Sequence, residues 1–159
     1  FKNLMKSFIL VVFATLILSA CATKKVSTPA GQMQGDVYTG TDTVEYLAKG
    51  VPDRVFYATN ESILTTRSRD TLRKQAAWLR TNSDVTITLE GHCDERGTRE
   101  YNLALGERRA NAAKDYLMTY GISGNRISVI SYGKERPVNS GSNPLAWSQN
   151  RRSVTVKAN

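Results

Sequence analysis

Residues 84–120 read DVTITLEGHCDERGTREYNLALGERRANAAKDYLMTY. Asp84 to Cys93 alternates: Val85, Ile87, Leu89, Gly91 and Cys93 fall on one face, and Thr86, Thr88, Glu90 and His92 on the other. That is the period of a half-buried strand. Gly91 to Thr98 then carries the strand into a tight, charged loop, where Gly97 supplies the backbone freedom of a sharp turn. From Asn102 to Tyr120 the period becomes helical, with Leu105, Ala112, Ala113, Tyr116, Leu117 and Tyr120 as an apolar stripe. Asn102 is placed to cap its start and Gly121 its end.

Arg109 breaks that stripe, one turn after Leu105 and one before Ala113. An inward guanidinium must be paired, because a lone buried charge is very costly. Asp94 or Glu95, in the loop just before the helix, is the expected partner. Two readings of such a pair stay open. It can be a structural ion pair tying loop to helix. It can also flank a pocket completed by a zwitterion, the Arg fork gripping a carboxylate and the Asp an ammonium.

Outward from this stretch, Arg54 to Ala58 is a strand, Leu64 to Asn82 a helix, Arg126 to Tyr132 a strand, Ala146 to Asn150 a short turn or helix, and Ser153 to Lys157 a last strand. The order β-α-β-α-β-β predicts an α/β fold, a two-layer sandwich with the helices on one face of a small mixed sheet. No internal repeats are present.

The chain has 159 residues, 40% hydrophobic and 23% charged, which excludes a disordered, collagen-like or multi-span class. Two cysteines are too few for a disulfide scaffold. The net charge of +8 suits a polyanionic partner without choosing one.

The first twenty residues choose. Lys2 and Lys6 precede an apolar run from Phe8 to Leu18, broken only by Thr15. The run is too short for a permanent span and fits a secretory leader, with Phe1 or Met5 as alternative starts. Leu18-Ser19-Ala20-Cys21 resembles the lipobox of bacterial lipoproteins, in which the Cys thiol is joined to diacylglycerol. Several acyl chains anchor stably where one does not. Ala22, where an Asp would favour the inner membrane, implies the periplasmic face of the outer membrane. Export also removes nucleic acid as a partner. The expected domains are a leader over 1–20, the lipidated Cys21 with a flexible tether over 21–43, and a folded domain over 44–159.

GHCDERGTREYNLALGERRANAAKDYL, with Asn150-Arg151-Arg152 near the end, resembles the signature of the OmpA-like peptidoglycan-binding domains. The resemblance runs from about Asp53 to Val156 and rests on Gly91, Asp94, Gly97, Tyr101, Asn102, Leu105, Arg109 and Ala110 at the family spacing. It implies non-covalent binding of peptidoglycan through the meso-diaminopimelate of its stem peptide, whose side chain ends in the zwitterion described above. Asp94 would take the ammonium and Arg109 the carboxylate, with Arg96 a second basic contact. The loop Ala58-Thr59-Asn60 would offer backbone N–H groups. Thr59-Asn60 stands where the family commonly has Phe-Asp, which removes a charge and an apolar wall that Leu105 is expected to replace in part. The resemblance also implies docking to TolB and other Tol proteins, and no cofactor.

The competing class is a periplasmic cell-wall hydrolase or metal-dependent enzyme. His92 and Cys93 are adjacent on a strand and so point to opposite faces, which disfavours a Cys–His dyad. Glu90, His92 and Asp94 share a face but lack a fourth metal ligand, and no nucleophile elbow is present. After lipidation of Cys21, Cys93 is expected as a small core residue.

Overall fold

Ile87 and Leu89 are buried on one face of their strand, as the alternation requires, and the sheet forms around them. The computed structural model describes residues 32–159. The expected leader, Cys21 and the first part of the tether lie outside the described residues.

Two short antiparallel hairpins come first: β1 (Met33–Gln34) with β2 (Val37–Tyr38), and β3 (Tyr46–Ala48) with β4 (Val51–Pro52). There follow β5 (Arg54–Phe56), α1 (Thr66–Thr81), β6 (Ile87–His92), α2 (Arg99–Thr119), a 3-10 turn (Gly124–Arg126), β7 (Ile127–Gly133), α3 (Pro144–Asn150) and β8 (Arg152–Lys157). The main sheet has the order β5-β8-β6-β7. β8 runs antiparallel to both β5 and β6, whereas β6 and β7 are parallel. The expected α/β sandwich with a mixed sheet is therefore the observed one. Its core joins Val55, Ile87, Leu89 and Ile127 of the sheet to Leu72, Ala76 and Leu79 of α1 and Ala110, Ala113 and Leu117 of α2.

Local chemistry sets the helix ends. Thr65 caps α1 by accepting from the Ser68 N–H at 3.1 Å. Thr98, not Asn102, caps α2, accepting from the Tyr101 N–H at 3.2 Å. Asn102 lies inside the helix, where its buried amide donates to the Arg96 and Thr98 carbonyls. Asn143 caps α3 ahead of Pro144, a residue suited to the first helical position.

Gly91 and Gly106 set how α2 meets β6. A Cβ placed on Gly91 would lie 1.7 Å from the Gly106 carbonyl oxygen, so the helix backbone rests directly on the strand.

The packed region begins ahead of the expected boundary at Val44. Tyr38 is buried and meets Phe56 edge-on, with ring centroids 4.8 Å apart. One aromatic and one acid, Asp36, carry the contacts of a segment whose composition is otherwise that of a linker.

Candidate functional site

Four segments converge at the C-terminal end of β6: residues 93–98 after the strand, the first turn of α2, residues 58–61 after β5, and Arg151 ahead of β8. Between them lies a cavity of about 330 Å³ lined by Thr59, Asn60, Asp94, Arg96, Gly97 and Tyr101. That volume is within the range of small-ligand sites.

Asp94 is its centre. The residue is buried, yet all its acceptor capacity is engaged. Oδ1 accepts from the Arg96 N–H at 3.0 Å and Nε at 3.1 Å; Oδ2 accepts from Arg96 Nη2 at 2.8 Å and Arg151 Nη1 at 3.0 Å. Burial pushes the carboxyl up, but the bonds from Arg96 and Arg151 outweigh it and hold it below the usual carboxylate range. The two guanidinium groups differ. The Arg151 side chain is 2% exposed and also donates to the Tyr57 and Asp36 carbonyls. The Arg96 side chain is 42% exposed, approaches from the solvent side and lies 4.2 Å from the Trp147 ring centroid. Trp147 in turn donates its indole N–H to Glu95 at 2.9 Å.

Two backbone positions in the cleft have positive φ. Gly97 has φ +91°, and the turn there requires glycine as expected. Asn60 has φ +58°, a left-handed conformation that Asn tolerates better than most residues. Thr59-Asn60 is thus a tight corner as well as a departure from Phe-Asp.

The expected Arg109–Asp94 pair is not formed. Arg109 is 0% exposed and donates Nε to the Glu61 carbonyl at 2.8 Å, Nη1 to His92 at 2.9 Å and Nη2 to Ala58 at 3.0 Å. Burial depresses its pKa, and its charge is met by carbonyl dipoles instead of a carboxylate. These bonds tie the 58–61 loop to the end of β6. Leu105 is also buried and, like Arg109, does not line the cavity; the aromatic side comes from Tyr101, 43% exposed. Of the expected residues, then, Thr59, Asn60, Asp94 and Arg96 come together, while Leu105 and Arg109 lie behind them. Gly97, Tyr101 and Arg151 were not expected as site residues, although each stands in the motif that carried the resemblance.

His92 and Cys93 do part to opposite sides. Cys93 is buried beneath α2, where its thiol, pushed up by burial, donates to the Asn102 carbonyl at 3.3 Å. His92 faces the other way but is not on a solvated face: it is 1% exposed, stacked on Tyr132 and 3.2 Å from Glu90 Oε2. Asp94 sits beyond the strand, turned to Arg151, so the shared face expected for Glu90, His92 and Asp94 ends at His92. Among the described residues, no group of three His, Cys, Asp or Glu side chains is placed to hold a metal ion.

Burial, together with the charges of Arg152, Arg54 and Arg136, lowers the His92 pKa to about 3. The folded state therefore favours the neutral ring, which donates Nε2–H to Glu90. The unfolded chain binds a proton near pH 6.5. Stability is thus fully present above about 6.5 and falls as pH drops toward 3, at about 1.4 kcal/mol per pH unit. Urea midpoints taken from pH 7 to pH 4 should show that slope, and His92→Gln should flatten it. An equal slope in the variant would place the acid sensitivity elsewhere.

The sequence model of the OmpA family matches residues 56–151, which contain every cleft residue named above. The peptidoglycan-associated lipoprotein of Rhizobium meliloti (strain 1021) is 46% identical over 144 residues, covering 89% of this chain and 82% of that protein. The chain belongs to the OmpA family, in its peptidoglycan-associated lipoprotein branch. A relative of the same name in Brucella melitensis is 44% identical over 147 residues, covering 91% of this chain and 88% of that one. Among solved structures, the peptidoglycan-associated lipoprotein of Burkholderia pseudomallei superposes with TM-score 0.65 at 34% identity, over 66% of this chain and 89% of that chain. The C-terminal domain of Helicobacter pylori MotB, at 18% identity and TM-score 0.63, shares the fold. The family match ends at Arg151, and the cluster of Asp94, Arg96 and Arg151 lies inside it.

Proposed function

We propose that this protein is a non-enzymatic lipoprotein of the cell envelope that binds peptidoglycan without covalent chemistry, through the meso-diaminopimelate of the stem peptide. The observation that carries the reading is Asp94: a buried carboxylate at the floor of a cleft, whose outer partner, Arg96, is exposed enough to yield its place. A ligand ammonium takes that place. Arg96 then turns to the ligand carboxylate, which a planar guanidinium fork fits bidentately. Arg151 remains on Asp94 and keeps the buried charge balanced. The Thr59-Asn60 corner closes one side and Tyr101 the other. Arg109 acts as a positioning residue that holds the corner in place. The names borne by the relatives support the same reading.

The finer assignment follows from the leader and the family. Lipidated Cys21 anchors the chain to the periplasmic face of the outer membrane, and the domain tethers that membrane to the wall as part of the Tol–Pal system, with TolB as a protein partner.

Calorimetry with soluble stem peptides tests the site. A peptide ending in meso-diaminopimelate should bind, and one with lysine in its place, which lacks only the distal carboxylate, should bind about tenfold to a hundredfold more weakly. Asp94→Asn should lose as much. Equal binding of both peptides would overturn the zwitterion reading.

A further inference from the structure

The turn between β1 and β2 places an acidic side chain at the mouth of this cleft. Asp36 Oδ2 accepts the Thr59 N–H at 2.7 Å. The Asp36 carbonyl accepts from Arg151 Nη2, and its carboxylate lies 4.0 Å from the same guanidinium. Its charge also acts on Arg96. The Thr59 N–H belongs to the loop expected to offer N–H groups to the ligand carboxylate beside Arg96, and Arg96 itself lies on Asp94, where a ligand ammonium would rest. Two groups of the chain itself therefore occupy the cleft's binding groups, one of each sign the ligand carries. The hold on the acidic side is light. Each strand of the hairpin has two residues, and the Asp36 side chain is 48% exposed. Such short, solvated units open at little cost.

We propose that the β1–β2 hairpin is a strap over the wall-binding cleft: Asp36 occupies the Thr59 N–H in the free protein and is displaced by the carboxylate of the bound stem peptide. This inference rests on the reading given under Proposed function. The strap adjoins the expected tether, so ligand binding and lifting of the β1–β2 turn become one event. Coupling of this kind is reciprocal. Whatever lifts the hairpin tightens wall binding, and whatever seats it weakens binding, because the apparent affinity scales with the fraction of open sites. Tyr38, buried against Phe56, keeps β2 in place while the turn lifts.

The test uses the full chain in detergent and a soluble stem tripeptide ending in meso-diaminopimelate. Asp36→Ala, which leaves the Asp36 carbonyl and Tyr38 in place, should bind the tripeptide about tenfold more tightly than the parent. Asp36→Asn, which keeps an acceptor without the charge, should fall between the two. In the parent, adding the tripeptide should move the Thr59 amide resonance and speed hydrogen exchange at Asp36 and Val37. Parent-like or weaker binding by a folded Asp36→Ala, with the parent still binding, would overturn the strap and leave the wall-binding reading intact. A parent that does not bind the tripeptide would overturn that reading, and the strap with it.

Discussion

Gly91→Ala is expected to abolish the native fold. The added methyl would lie 1.7 Å from the Gly106 oxygen and 2.4 Å from its carbonyl carbon. Both are backbone atoms of α2, so no rotamer change relieves the clash. Neither partner can retreat cheaply: β6 is hydrogen-bonded to β7 and β8, and α2 is held through Ala110, Ala113 and Leu117, all 0% exposed. Overpacking in close-packed interiors commonly costs 1–3 kcal/mol, and a backbone-to-backbone clash belongs above that range, at about 4 kcal/mol or more. That is most of the stability of an ordinary domain. Gly106→Ala should be milder, because its nearest obstacle is the Ser131 hydroxyl, a side-chain end that turns away at the cost of the bond it accepts from the Gly133 N–H, while the Gly91 backbone lies farther off at 3.0 Å. Urea midpoints followed by circular dichroism would rank the two. A Gly91→Ala protein within about 1 kcal/mol of the parent would contradict the helix–strand contact described above.

Arg109→Lys should destabilise the fold and the cleft together. An ammonium keeps the charge but cannot reach three carbonyls that converge from Ala58, Glu61 and His92. At least one carbonyl loses its donor, and loss of the bond to the buried His92 carbonyl alone is worth about 1–3 kcal/mol, so a destabilisation of that size is expected. Wall binding should fall with it, since the 58–61 loop is then untied from β6. Melting temperature read beside affinity separates two roles. A variant that melts like the parent but no longer binds would make Arg109 a ligand contact; one that melts early fits the clamp.

The sequence shows the strands and helices because their burial follows a simple period. Ile87 and Leu89 alternate inward as the alternation predicts, and Leu72, Ala76 and Leu79 fall on the buried side of α1. It shows that Arg109 is buried, from its place on an apolar stripe. It does not show what Arg109 meets, because carbonyl partners have no residue-type signature: any residue at 58, 61 or 92 supplies one. The assumption that a buried cation needs an acid led to Asp94, which is taken by two other arginines. Arg151 lies 57 positions from Asp94 and stands next to Arg152 in an otherwise ordinary basic pair. The covering of His92 was hidden likewise, since strand alternation marks a face without saying whether that face is wet. Tyr38 and Asp36 look like linker in the sequence because two residues in a polar segment make no period.

The central position of β8 in the sheet has a consequence for the order in which the protein can be made. β5 and β6 do not pair with each other; each pairs with β8, so Arg152–Lys157 completes both. The Arg151 side chain, just ahead of that strand, also supplies the permanent counter-charge for Asp94. A nascent or partly threaded chain that has delivered everything up to α3 holds two helices, two short hairpins and, of the main sheet, only the parallel β6–β7 pair. Such contacts between distant parts of the chain form late. A chain passing N-terminus first through a narrow pore would thus stay unfolded, and threadable, until its last strand arrived.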